Sequence, residues 1–199
     1  MLERRLAGTW LLLALASGCA ASVPTARNMV EVTPPRPLTA PADSAVVVFV
    51  RPSKFAWGIS ANIIDEQGHF LGDSPAAGHF AAVVPPGRHM FVVWAENTDA
   101  LDAELAPGKI YFVEVAATMG ALSAQMHLRA IKPTSANFPH RDEWMRNTQQ
   151  WMVQGPAGQE NLDRRADDVR ERLRRAQEHL VKYSADEREE RTLRAADGI

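Results

Sequence analysis

The chain is poor in cysteine: among 199 residues only Cys19 carries a thiol. That excludes a disulfide framework and a four-thiolate zinc site. An excess of one charge is lacking too. Lysine and arginine number 22 against 24 aspartate and glutamate, a net charge of −2 with a pI near 6.3, so the broad positive field that nucleic acid binding needs is missing and no nucleic acid partner is expected. A run of the ~20 apolar residues that span a bilayer is also missing; the most apolar stretch, residues 6–16, is shorter. No glycine-rich phosphate loop follows a strand and opens a helix, and Asp73, Ser74 and His127 do not assemble into a nucleophile and base from their order alone. No catalytic residue and no cofactor is therefore expected, and the reading is that the protein is not an enzyme. At this length one ordinary domain with extensions fits, and a large multidomain assembly does not.

What is present at the start is a basic pair, Arg4-Arg5, an apolar core at residues 6–16, and then Leu15-Ala16-Ser17-Gly18-Cys19. The layout is that of a signal peptide over residues 1–18. Its last five residues resemble the bacterial lipobox, whose cysteine is joined to diacylglycerol and becomes the first residue after cleavage. The resemblance implies lipidation of Cys19 and a membrane partner through it, because two or three acyl chains anchor stably where one does not. Ala20, rather than aspartate, follows the cysteine; by analogy with lipoprotein sorting this implies the outer membrane, facing the periplasm. Residues 19–43, with Pro24, Pro34, Pro35, Pro37 and Pro41 and no sustained period, predict an extended tether.

Residues 44–132 predict a β-domain. Ala45-Val46-Val47-Val48-Phe49-Val50 is β-branched and apolar and stops at Arg51-Pro52, as a buried strand does. Glycines close three predicted turns, at Asp65-Glu66-Gln67-Gly68, Pro85-Pro86-Gly87-Arg88 and Ala106-Pro107-Gly108-Lys109. In the final strand Leu122, Ala124, Met126, Leu128 and Ala130 face one way and Ser123, Gln125, His127 and Arg129 the other. About eight short strands with regular turns predict a mainly β fold, an antiparallel immunoglobulin-like β-sandwich, followed by a C-terminal α-helical extension. Residues 46–52, the Pro86-Gly87-Arg88-His89 turn and Pro107-Gly108-Lys109-Ile110-Tyr111-Phe112 resemble small bacterial lipoproteins carrying an uncharacterised β-domain. That resemblance implies a compact domain on a lipid tether and brings no catalytic residues with it.

The extension covers residues 133–199. Trp144, Met145, Thr148, Trp151 and Met152 have helical spacing and predict one helix of ~14 residues. A second, highly charged helix carries Leu162, Ala166, Val169, Leu173, Ala176, Leu180 and Tyr183 at alternating steps of four and three, a narrow seam along one side. Two uses of the seam stand open: packing on the chain's own domain, or seating a partner helix through Leu162, Val169, Leu173 and Leu180, with envelope proteins as the partners. Ser184-Ala185-Asp186-Glu187 predicts a capping box at the start of a last short helix. Two further groups of residues bear on ligands. His69, His79 and His89 lie ten residues apart, but nothing in that spacing makes their rings converge, so no metal site is expected. Trp57 and Trp94 supply the alternative, a glycan, peptidoglycan or small-ligand module that stacks sugars on exposed indoles.

Overall fold

The computed structural model describes residues 26–199. In chain order the strands begin with β1 (Met29–Glu31), β2 (Ala45–Arg51), β3 (Asn62–Ile64), β4 (Phe70–Asp73), β5 (Gly78–Val84) and β6 (Gly87–Trp94). β7 (Thr98–Leu105), β8 (Ile110–Met119) and β9 (Ala124–Ile131) follow, then helix α1 (Arg141–Asn147) and β10 (Gln149–Val153). The chain closes with helices α2 (Ala157–Asp163), α3 (Ala166–Lys182) and α4 (Ala185–Glu190) and the short strand β11 (Thr192–Leu193). The fold is mainly β.

Two sheets share one apolar core. The first has the order β1-β10-β5-β2-β8-β9 and the second β11-β7-β6-β3-β4. Both are mixed, which corrects the expectation of an antiparallel arrangement throughout: β2 runs parallel to β8, β10 to β5 and β11 to β7. The reason lies in the connections. Parallel neighbours need a long crossover, and between β2 and β8 the chain travels through the whole of β3 to β7 before it returns.

Strand composition follows from position. β2 lies between β5 and β8 with both faces covered, and a strand buried on both faces reads as a continuous apolar run. Val47 and Phe49 enter the core shared by the sheets, with Phe80, Phe91, Leu101, Val113 and Leu128. Val46, Val48 and Val50 point to the other side, where Phe112 and Ile131 are covered by Leu38, Ala40, Phe138, Trp144 and Met145. β6 divides in the same way: Phe91 and Val93 point inward, while Met90, Val92 and Trp94 meet Leu162, Val169 and Ala176. Each sheet is thus roofed by chain from outside the predicted β region.

Two boundaries move accordingly. The predicted tether 19–43 contains β1, which pairs antiparallel with β10, and Leu38 and Ala40, which cover the first sheet. The predicted ~14-residue helix is replaced by α1 and β10. Thr148 is extended (φ −110°, ψ 149°) and the residues after it, Gln149-Gln150-Trp151-Met152-Val153, fill the edge beside β5. A vacant sheet edge offers hydrogen bonds along a whole strand, and a β-branched and aromatic segment takes it despite its helical spacing. The capping box forms as expected: Ser184 Oγ accepts from Glu187 N while the Glu187 carboxylate accepts from Ser184 N. Gly68, Gly87 and Gly108 all adopt positive φ in the turns predicted for them.

Candidate functional site

Cys19 lies outside the described residues. What the structure places is the entry of the chain into the body. Ala26 packs against the shared core, and the amide and Nδ2 of Asn28 donate to Asp73 Oδ2 at 3.2 and 3.3 Å. Asp73 ends β4 and also accepts from Asn62 Nδ2 at 2.6 Å. Burial pushes its carboxyl above the usual range, against the lowering pull of those hydrogen bonds and of Arg27. Six residues lie between Cys19 and Ala26, so the stretch from Cys19 to the body is far shorter than the predicted tether of residues 19–43.

Beside this entry stands Arg51, the last residue of β2 and fully buried. Its Nη1 donates to the carbonyls of Ile59 (3.0 Å) and Ser74 (3.2 Å), and its Nη2 to those of Phe55 (2.8 Å) and Ala56 (2.7 Å). Among the described residues no carboxylate lies within ion-pair distance of it, and burial brings its pKa down to about 10, which leaves it charged at neutral pH. A guanidinium presents five donors in a rigid plane, and four carbonyls around that plane fix the course of the chain that supplies them. The loop of residues 52–61 is held from within. Phe55 and Trp57 project outward from it, Trp57 61% exposed.

A second polar node fastens the C-terminal segment. Asp99, at the start of β7, is buried and accepts from the Leu128 amide at 2.8 Å, from Arg191 Nε at 3.1 Å and from the Tyr183 hydroxyl. His127 Nδ1 stands 3.6 Å away, too far for a good hydrogen bond but close enough for attraction once protonated. Burial alone would raise the Asp99 carboxyl; His127, Tyr183, Arg191 and the Leu128 amide outweigh it and hold the group below its ordinary value. His127 Nε2 in turn meets Thr118 Oγ1 at 3.1 Å. The chain Asp–His–Thr resembles a nucleophile relay in order, yet Asp99 is already neutralised by Arg191, so the node holds structure together.

The seam residues are occupied. Leu162 and Val169 are buried, and Leu173 and Leu180 half-buried, on the outer face of β6 and β7 with Ile64, Met90, Val92, Trp94 and Ala100. This corrects the partner-helix use of Leu162, Val169, Leu173 and Leu180: the chain's own sheet offers a wide apolar face that water would otherwise cover, and the seam fills it. Arg165 and Arg172 stack over Trp94 at 4.2 and 5.2 Å, and Arg172 also donates to Thr98 Oγ1 at 2.8 Å instead of pairing with Asp168. Trp94 is therefore closed to a sugar ring. The outward side of α3 carries the ion pairs, among them Glu171 with Arg174 and Arg175.

The three histidines do not meet. His69 Nδ1 is 2.8 Å from Asp65, and His89 touches Pro85 O and Glu66, so these two flank one turn; His79 is buried in the other sheet against Thr148 Oγ1, its pKa lowered by desolvation. Among the described residues no group of three His, Cys, Asp or Glu is placed to hold a metal ion. A groove of ≈ 680 Å³ runs along β6, β7 and β11 and mixes Arg88 and Arg194 with Glu66, Asp102 and Glu104. Leu122, expected on the inward face of the last strand, instead lies in the connection before β9 and is fully exposed, because the strand begins only at Ala124.

Neither a protein-family model nor a curated protein matches the chain.

Proposed function

We propose that the protein is a membrane-anchored envelope lipoprotein with a non-enzymatic role in structure or protein interaction, held on the periplasmic face of the outer membrane. The observation that carries this reading is the position of the sole thiol: Cys19 closes Leu15-Ala16-Ser17-Gly18-Cys19 directly after the apolar stretch. In support, the body begins close behind that cysteine, with Ala26 already packed on the core. No helix among the described residues is long and apolar enough to cross a membrane. The two face-to-face sheets act as an immunoglobulin-like module in layering, set apart by the parallel β2–β8 pair, and the C-terminal helical segment offers envelope proteins the charged side of α3.

Mass spectrometry of the N-terminal peptide from membrane fractions tests the proposal. An acylated Cys19 as first residue is the expected result; an unmodified sulfhydryl or a different first residue overturns it. The glycan alternative retains Trp57 alone, since Trp94 is roofed by arginine, and retention of the protein on isolated peptidoglycan that is lost in Trp57→Ala would favour it.

A further inference from the structure

The two ends of the sheets differ in chemistry. Because β2 and β8 are parallel and β5 and β9 antiparallel to them, the connections 52–61, 74–77, 95–97 and 120–123 gather at one end, joined by the passage from α1 into β10 opposite Gly78. The four loops carry only Lys54 and Glu96 as charged side chains, and Arg146 stands at the end of α1. Four large apolar side chains are exposed there: Phe55, Trp57, Met119 (72%) and Leu122 (100%). Of the other exposed large apolar residues, Val30, Met152 and Val83 share the outer face of β1, β10 and β5, while Val181 and Ile199 stand singly on a charged helix and at residue 199, as on most soluble surfaces. Asn28, just after the chain enters the body, donates to Asp73, one residue before the 74–77 connection, and β1 runs from Met29, opposite Val153, toward that end. From Ala26 back to Cys19 a chain spans at most about 25 Å.

We propose that this end rests on the bilayer that receives the acyl chains of Cys19, with Phe55, Trp57, Met119 and Leu122 seated among the phospholipid headgroups. The inference rests on the anchor reading above. A tether this short keeps the body near the surface, and this end offers the bilayer few charges to desolvate. Tryptophan suits the interface because its ring is apolar and its N–H polar, and Lys54 matches anionic headgroups. Arg51 already holds the loop, so little ordering cost attaches to contact.

The test uses acylated full-length protein reinserted into phosphatidylethanolamine and phosphatidylglycerol vesicles whose acyl chains carry bromine at set depths. Tryptophan emission is compared with that of Trp57→Phe, which isolates Trp57 from the other indoles. The expected result is a bromine-quenched component that the variant lacks, strongest for shallow bromines, and reduced at least about twofold in Leu122→Asp. Leu122 is fully exposed, so that second variant leaves folding intact. Equal quenching of wild type and Trp57→Phe overturns the proposal, as does a sedimenting dimer with Trp57 shielded from iodide but untouched by bromine, which would assign the surface to a second copy. The mass of the N-terminal peptide is read on the same sample. Acylated Cys19 with unquenched Trp57 sinks this inference and leaves the anchor standing, whereas a free thiol sinks both.

Discussion

Arg51 and Asp99 are both buried charges, and they are satisfied in opposite ways. Arg51 has no acid beside it and is held by carbonyls, three of them from the segment immediately after it. Asp99 is paired with Arg191, 92 residues away, and takes further hydrogen bonds from Tyr183 and Leu128. The first arrangement shapes a loop; the second ties the C-terminal segment to the sheets. A buried charge met by dipoles organises its own neighbourhood, while one met by an opposite charge joins parts of the chain that have no local reason to meet.

The contrast can be broken by substitution. Arg51→Met removes a donor from four carbonyls, of which Ala56 O keeps the Ile59 amide, and should cost roughly 4 kcal/mol by urea unfolding, since buried unsatisfied groups cost ~1–3 kcal/mol each and relax only in part; proteolytic cutting should concentrate within residues 52–61. Asp99→Asn strands Arg191 and should cost about 3 kcal/mol, with cleavage near α4 in place of the loop. Its pH dependence has a definite sign. The folded Asp99 value lies below 3.8, so its stabilisation is present in full above 3.8 and is lost as pH falls through the lower folded value; the gap between wild type and Asp99→Asn should therefore close in acid. A slope with the opposite sign would mean that burial, not pairing, governs Asp99.

Leu162→Ala probes the same C-terminal segment through apolar contact alone and should cost about 2–3 kcal/mol in urea unfolding without altering that acid profile. A smaller effect is expected from His79. Its folded value is lowered by desolvation, so stability is lost as pH falls below 6.5, until the lowered value is passed, and His79→Gln should remove that portion of the slope in melts between pH 7 and 5. Smallest is Glu171→Gln: it removes exposed ion pairs to Arg174 and Arg175, and the melting temperature should not move, because solvent and salt screen such pairs.

Much of the β region was legible because its signals are local. Gly68, Gly87 and Gly108 turn where the neighbouring residues say they must, and the alternation from Ala124 to Ala130 survives as buried and half-exposed positions. The failures are non-local. Trp144, Met145, Trp151 and Met152 keep helical spacing, yet Trp144 and Met145 cover one face of the first sheet while Trp151 packs against the core on the other side; the vacancy beside β5 that separates them appears only once the sheet exists. Arg51 reads as a strand end because carbonyls leave no trace in a side-chain pattern. For the candidate site, Cys19 lies outside the described residues, and the seam was legible as apolar, but which surface it meets depends on an outer face of β6 that sequence alternation cannot orient. The sparsely charged end is a property of strand direction, and it emerges only when β2 and β8 are seen to run the same way.

The pairing of β1 with β10 has a practical consequence. A chain trimmed to residue 44, where the proline-rich run gives way to β2, would strip the cover from β10 and leave a row of bare amides and carbonyls as a template for neighbouring molecules. Such a shortened protein is liable to clump or swap strands in storage, and one beginning near Ala26 keeps its border sealed.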